Sequence, residues 1–373
     1  MSDRIDLAGM TSAELTAWCQ EQGLPSFRGS QIFRSIHQGL CFGEMTNLPL
    51  SLREKLSQLA LDQPTAVRSW RESELDGTVK FLFSLSDGQC VEGVLMRYVF
   101  GLTLCISTQV GCRMGCRFCA STLDGLVRNL TAGEMLGEIL AVNRWISRNV
   151  SPSAAKGQSD SPPQRVSRVV LMGSGEPLDN YEQVLRFLHL LREEDGVHIS
   201  LRNVSLSTCG LVPKMIRFAD EALPVTLCVS LHAPNDSIRR KLMPVAETYS
   251  IQELLNACRV YIQKTGRRII FEYALTEGLN AGESHAEELA RRLRGMQCHV
   301  NLIPLNSVPE RGMAGVNEET VRRFLQVLKR CHISATRRRE MGDDIEGACG
   351  QLRRKTLAQE SASSGPCPGR LQL

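Results

Sequence analysis

With 373 residues, 42% of them hydrophobic, the chain has the size of one barrel-like domain, alone or with a small appendage. Its net charge of +4 neither demands nor excludes a nucleic-acid partner, so that question rests on where the basic residues cluster. The start, Met1 to Met10, is polar without the apolar core of a secretory signal, and no apolar run approaches a membrane span; fourteen cysteines here point to reduced cytoplasmic thiols used for metal or catalysis, not to a disulfide-rich secreted protein.

Thr11-Ser12-Ala13-Glu14 is a capping-box pattern ahead of Leu15, Trp18 and Cys19, which share one helical face. Further helical patterns run around Ile32, Phe33 and Ile36 and from Leu52 to Leu56, with Gly23, Pro25, Gly39 and Pro49 between them. Residues 1–65 thus read as a small helical accessory domain, whose Arg28, Arg34, His37, Arg53 and Lys55 suit RNA docking about as well as a plain solvated surface. From Lys80 the texture turns to strands, Phe81 to Phe83, Val91 to Tyr98 and Leu102 to Ser107, so residues 66–101 form a strand-rich connector.

Thr131-Ala132-Gly133-Glu134 then opens a helix through Met135, Ile139 and Val142. Strands at Arg168–Met172, Asn203–Ser207, Val225–Ser230, Ile269–Tyr273 and Val300–Ile303 alternate with helices near Tyr181–Leu191, after Pro213, and at Ile251–Ile262, Ala286–Leu293 and Glu318–Leu328. Six or so βα units, closing with Ile333 to Thr336, call for a parallel sheet that right-handed crossovers curl into a partial or full barrel. This α/β core spans residues 102–340, with function at the carboxyl ends of its strands. Residues 341–355 form a C-terminal segment, residues 151–164 a surface loop and residues 356–373 a flexible tail.

The chemistry is announced by Gly111-Cys112-Arg113-Met114-Gly115-Cys116-Arg117-Phe118-Cys119, in which three cysteines stand at C-x3-C-x2-C just after a strand. Three thiolates can hold three irons of a four-iron cluster and leave the fourth open, whereas structural zinc normally takes four ligands. A zinc site would recruit Cys105 as the fourth, and the chain would then be a zinc-stabilised RNA-binding protein without catalysis. Phe118 beside the last cysteine, and the loop's place after the first core strand, resemble the radical S-adenosylmethionine (SAM) enzymes. That resemblance implies a partial (β/α)6 radical SAM barrel, with Cys112, Cys116 and Cys119 holding a [4Fe-4S] cluster whose open iron binds SAM for reductive cleavage to a 5′-deoxyadenosyl radical.

Other strand ends fit such a cofactor. Gly173-Ser174-Gly175-Glu176-Pro177 resembles the family's GEP motif, and Ser207, Ser230-Leu231-His232 and Asn306 follow later strands. The resemblance therefore implies SAM contacts at Gly175, Glu176, Ser207, Ser230, Leu231, His232 and Asn306. Each alone is more often a satisfied strand-end residue than a ligand.

Leu104 to Cys112, Val127 to Thr131, Gly175 to Tyr181, Ser230 to Ala233, Asn301 to Pro304 and Gly342 to Leu352 together resemble the RlmN/Cfr family of RNA adenine methyltransferases, RlmN most of all. Ser174 departs from that pattern, which commonly has Met there. The resemblance implies methylation at C2 of adenine 2503 of 23S rRNA, in the peptidyl-transferase centre, and of adenine 37 of tRNAs, using two SAM per turnover and an electron donor such as flavodoxin. C2 lies between two ring nitrogens and is too electron-poor to attack the methyl of SAM, so a radical route is needed. By the same resemblance Cys349 carries the carbon as S-methylcysteine, Cys105 resolves the protein–RNA adduct through a transient disulfide with Cys349, and Glu92 accepts the ring proton. The Cfr type would methylate C8 of the same rRNA adenine. Cys19, Cys41, Cys90, Cys209, Cys228, Cys258, Cys298 and Cys331 match no such role and read as packing residues. Between Lys329 and Lys355 eight basic residues face four acidic ones around Cys349, which would dock RNA with the N-terminal helices.

Overall fold

The computed structural model describes residues 4–149, 164–305, 312–339 and 341–345. It begins with three helices, α1 (Ser12–Glu21), α2 (Phe27–His37) and α3 (Leu50–Leu59). The α1 capping box is formed as expected: the Thr11 hydroxyl accepts from Glu14 N, and the Glu14 carboxylate accepts from Thr11 N at 2.8 Å. Two donors that a helix start leaves bare are thereby satisfied.

An antiparallel meander follows, β1 (Thr65–Glu72), β2 (Val79–Leu85), β3 (Cys90–Tyr98) and β4 (Gly101–Ile106). Strand β1 precedes the expected onset at Lys80. It is an edge strand whose outer half, with Arg71 and Glu72, faces solvent, and such strands carry no clean apolar alternation. A two-stranded hairpin, β5 (Gln109–Gly111) and β6 (Leu126–Asn129), brackets the cysteine loop.

The alternation then runs α4 (Ala132–Asn149), β7 (Val166–Leu171), α5 (Tyr181–Leu190), β8 (Val204–Thr208), α6 (Val212–Asp220), β9 (Thr226–Ser230), α7 (Asp236–Leu242), α8 (Ile251–Thr265), β10 (Ile269–Leu275), α9 (Glu283–Leu293), β11 (Cys298–Pro304), α10 (Glu318–Arg330) and β12 (Ala335–Arg337). The main sheet has the order β1-β2-β3-β4-β7-β8-β9-β10-β11-β12, and from β4 onward every pair is parallel. This is the expected partial (β/α)6 barrel, extended at one edge by the meander. Helix α7 was not foreseen, because Arg239-Arg240-Lys241 masks its short apolar stripe.

Because side chains alternate across a strand, the sheet has two characters. Leu104, Ile106, Leu171, Leu206, Val229, Phe271, Tyr273 and Leu302 face the helices in one apolar core shared with Leu15, Phe33 and Leu56 of the N-terminal helices. Each such side chain, fully buried, contributes about 1.5–3 kcal/mol. The intervening residues, Thr103, Val170, Ser205, Cys228, Glu272 and Asn301, line a cavity of about 930 Å³ inside the barrel. No described helix is long and apolar enough to cross a membrane.

Within the N-terminal helices His37 does not add to the basic surface expected there. It is buried, its Nδ1 accepts from Val197 N at 3.1 Å, and burial pushes its pKa down to about 4, so it is neutral.

Candidate active site

The cysteine loop is built around two tight turns. Gly111 has φ 77°, and a Cβ there would meet the Gly125 carbonyl oxygen at 2.0 Å, so only glycine lets β5 and β6 close beneath Cys112. Cys112 N donates to Gly125 O at 2.9 Å, Cys119 N to Cys116 O at 3.1 Å, and the Thr122 hydroxyl to both Cys116 O and Cys119 O. Cys112 and Cys116 are buried and Cys119 partly so. Burial pushes the Cys112 thiol up to about 12 and the Cys116 thiol higher still, and each feels the charge of its neighbours in the triplet. Three thiolates here therefore need a positively charged partner.

The Gly175-Glu176-Pro177 turn interlocks with this loop. Ser174 O accepts from Thr108 N and Gln109 N, Glu176 N donates to Gln109 Oε1 at 2.9 Å, and Arg113 forms an ion pair with Asp179 at 2.5 Å. Gly175 has φ 117° and lies against Thr108 and Gln109 too closely for any Cβ. Glu176 is buried, which raises its pKa, and its carboxylate accepts from Leu178 N at 3.0 Å and Cys209 N at 2.7 Å. Its side chain thus ties the end of β7 to the end of β8. Ser174 donates its hydroxyl to Gly111 O at 3.4 Å, directly before the first cysteine.

Ser207 and Ser230 are half-buried near the carboxyl ends of β8 and β9. Leu231 N and His232 N both donate to Glu272 O. His232 takes a left-handed φ of 53°, its Nδ1 accepts from Ala274 N at 2.9 Å, and burial holds it neutral with a pKa of about 3. Its ring packs edge-on against Phe118, centroids 4.5 Å apart, joining the cysteine loop to the end of β9. Asn306 and Cys349 lie outside the described residues.

Glu92 and Cys105 stand on neighbouring strands β3 and β4. By strand parity Glu92, Val94 and Met96 share a face, and Val94 and Met96 pack against Cys105 together with Val170, Met172 and Met341. Met96, Val170 and Met172 also line the barrel cavity, so both residues belong to its wall side. The Glu92 carboxylate pairs with Lys80 Nζ at 3.2 Å, and both side chains are almost completely buried. The Ser107 hydroxyl donates to Glu92 O at 2.8 Å and accepts from Ser174 N at 3.0 Å, linking Glu92 to the Gly175-Glu176-Pro177 turn. The segment Met341 to Ile345 is docked beside them: Asp344 accepts from Ser73 Oγ at 2.6 Å and Glu74 N, and Gly342 N donates to Asp76.

Arg202, Thr226, Arg268 and His299, at or just before the starts of β8, β9, β10 and β11, are among the residues that line the cavity. Arg168, Arg202, Arg267, Arg268 and Arg338 line it against one acid, Glu272, and among the described residues none of the five forms an ion pair. Arg168 lies 4.7 Å over the Phe100 ring, which is exposed and stacks on Tyr98.

The triplet fits a four-iron cluster better than a single ion. Cys105, which a zinc site would recruit as the fourth ligand, packs with Val94 and Met96, while Cys116 and Cys119 pack with Ile238, Leu242 and Met243. A cubane needs only the three loop cysteines and leaves one iron open.

Residues 106–293 match the radical SAM superfamily, and residues 5–61 match the family described as ribosomal RNA large subunit methyltransferase N-terminal domain. A probable dual-specificity RNA methyltransferase RlmN from Alkaliphilus oremlandii is 49% identical over 95% of this chain and 99% of its own. The chain belongs to the RlmN family of radical SAM methyltransferases. The RlmN-named protein of Clostridium tetani is 45% identical over 97% of this chain and 99% of its own. A solved radical SAM methyltransferase from Sphaerobacter thermophilus superposes with a TM-score of 0.86 at 42% identity, covering 93% of this chain and 98% of that one. As an RlmN-family enzyme the chain uses a [4Fe-4S] cluster and SAM, two molecules of SAM per turnover.

Lys80, Ser107, Arg239 near the ends of β8 and β9, and the backbone of Cys209, whose side chain reads from sequence as packing, are features of the site that sequence reasoning does not find. Lys80 opens a strand pattern and Arg239 sits in a run of charges, so each looks solvent-facing until tertiary register is known.

Proposed function

We propose that this chain methylates C2 of adenine 2503 in 23S rRNA and of adenine 37 in tRNAs, in the cytoplasm, with electrons from a donor such as flavodoxin. The observation that carries the reading is the arginine-lined cavity leading to the wall that holds Glu92 and Cys105. Guanidiniums free of ion pairs can hold phosphates, and the Tyr98–Phe100 stack offers a platform for an unpaired base, as recognition of a turned-out nucleotide requires.

Within this reading Cys112, Cys116 and Cys119 hold the cluster, and Gly175, Glu176, Ser207, Ser230, Leu231, His232 and Asn306 form the bed for SAM. When bound, these groups supply the radical that takes a hydrogen from the S-methyl group of Cys349. The methylene carbon so formed bonds to C2, Glu92 accepts the C2 proton of the adduct at a carboxylate oxygen, and the adduct's unpaired electron passes to a one-electron acceptor, while Lys80 keeps the Glu92 carboxylate oriented. The Cys105 thiolate then bonds to Cys349 Sγ and breaks the Sγ–carbon bond; the released carbon takes up a proton to become the methyl group, and the disulfide is left for a cellular reductant to reopen. Burial of Cys105 keeps competing thiols away.

Anaerobically reconstituted protein incubated with unmodified 23S rRNA and tRNA tests this. Nucleoside mass spectrometry should find 2-methyladenosine in both; 8-methyladenosine would overturn the C2 assignment. Alanine at both Arg202 and Arg268 should raise KM for RNA about tenfold and reduce the slope of log affinity against log salt by about one to two, as expected for two lost phosphate contacts. Fluorescence anisotropy with an RNA stem-loop measures the slope.

A further inference from the structure

Arg239, on α7, is completely buried. Its Nη2 donates to Cys209 O at 2.7 Å and Ser230 O at 3.3 Å, spanning the ends of β8 and β9, while its Nε and Nη1 are buried with no hydrogen-bond partner among the described residues. A buried, unpaired cation costs several kcal/mol, so a guanidinium in this condition calls for an anion. Asp236 does not supply it: no ion pair joins the two, and the Asp236 carboxylate accepts from Ile251 N at 2.7 Å.

The surroundings name the anion. Helix α7 is the wall of the cysteine loop: Leu242 O accepts from Arg117 N at 2.9 Å, and Ile238 and Leu242, flanking Arg239, pack in one cluster with Cys116, Cys119 and Cys209. Arg239 lies between these two residues on the helix, so its charge stands beside the apolar cluster that holds Cys116 and Cys119. Three thiolates on a doubly positive cluster carry one net negative charge, and two after it accepts an electron.

We infer that Arg239 is a positioning residue for electron uptake, a fixed buried cation that stabilises the reduced cluster over the oxidised one and so raises its reduction potential. Low polarity magnifies the effect, since the guanidinium is buried away from bulk solvent. The inference needs only the cluster and stands or falls independently of which RNA carbon is methylated.

The test is a redox titration of the cluster followed by electron paramagnetic resonance, without SAM, on the holoprotein and on Arg239→Met and Arg239→Lys. Arg239→Met should shift the one-electron equilibrium at least tenfold toward the oxidised cluster, about 59 mV more negative. Arg239→Lys, which keeps the charge, should stay within about threefold of the parent. If Arg239→Met assembles no cluster, Arg239→Gln, with donors but no charge, takes its place and should show the same tenfold shift. An unchanged potential in the uncharged variant at full iron and sulfide content overturns the inference. So does a lysine variant that shifts as far as the methionine one, because the effect would then be packing.

Discussion

Replacing Cys105 by alanine is expected to stop turnover with RNA still covalently attached to the protein. Cys105 is buried on the cavity side of β4 against Val94 and Met96, and Met341 from the docked C-terminal segment packs on the same cluster. With Glu92 and the cluster intact, methylation of Cys349 and addition to the base proceed, but no thiolate remains to displace the adduct. Denaturing gels with labelled RNA should show a nuclease-sensitive species of increased mass in Cys105→Ala. Cys105→Ala combined with Cys349→Ala should show none. Free methylated RNA released at the parent rate by Cys105→Ala would remove Cys105 from the mechanism.

Lys80→Met is expected to cost about 3–5 kcal/mol of stability, the penalty for stranding one member of a buried ion pair. Lys80 Nζ and the Glu92 carboxylate are 3.2 Å apart with almost no exposure, so removing the cation leaves a carboxylate that must either stay charged without it or take up a proton. Chemical denaturation would measure the loss. Combining Lys80→Met with Glu92→Gln should recover part of the stability while leaving turnover abolished, which separates folding from proton acceptance. Equal stability of Lys80→Met and the parent would mean that the pair is not closed in solution.

The parts of the molecule legible in the amino-acid sequence are those with local causes. The cysteine triplet, the Gly-Glu-Pro turn and the Thr11 and Thr131 capping boxes are short motifs, and each folds as its residues require: the Thr131 hydroxyl accepts from Glu134 N at 3.0 Å, and Glu134 accepts from Thr131 N in return. The order of the parallel strands follows from alternation. What stayed hidden depends on register between distant segments. Lys80 becomes an active-site neighbour only because β2 pairs antiparallel with β3, setting Lys80 opposite Val94 and on the same face as Glu92. The five cavity arginines come from separate parts of the barrel, Arg202 and Arg268 just before β8 and β10 and Arg338 just after β12. Arg338 belongs to the Lys329 to Lys355 cluster that a linear reading favours for RNA docking, whereas Arg168, Arg202, Arg267 and Arg268 lie outside it and share one cavity with it only through the fold. Ser174, the one departure from the family motif, reaches the carbonyl of Gly111 at the root of the cysteine loop, a contact invisible in a motif comparison.

The central claim, that carbon reaches C2 of an RNA adenine by way of Cys349 and a radical, is tested most directly by supplying SAM with a fully deuterated methyl group and analysing the product nucleoside by mass spectrometry. One deuterium is lost when the S-methyl group becomes a radical, so the account predicts 2-methyladenosine carrying two deuteriums from the donor. A methyl group that arrives with all three would contradict it, because the carbon would then have moved by direct displacement.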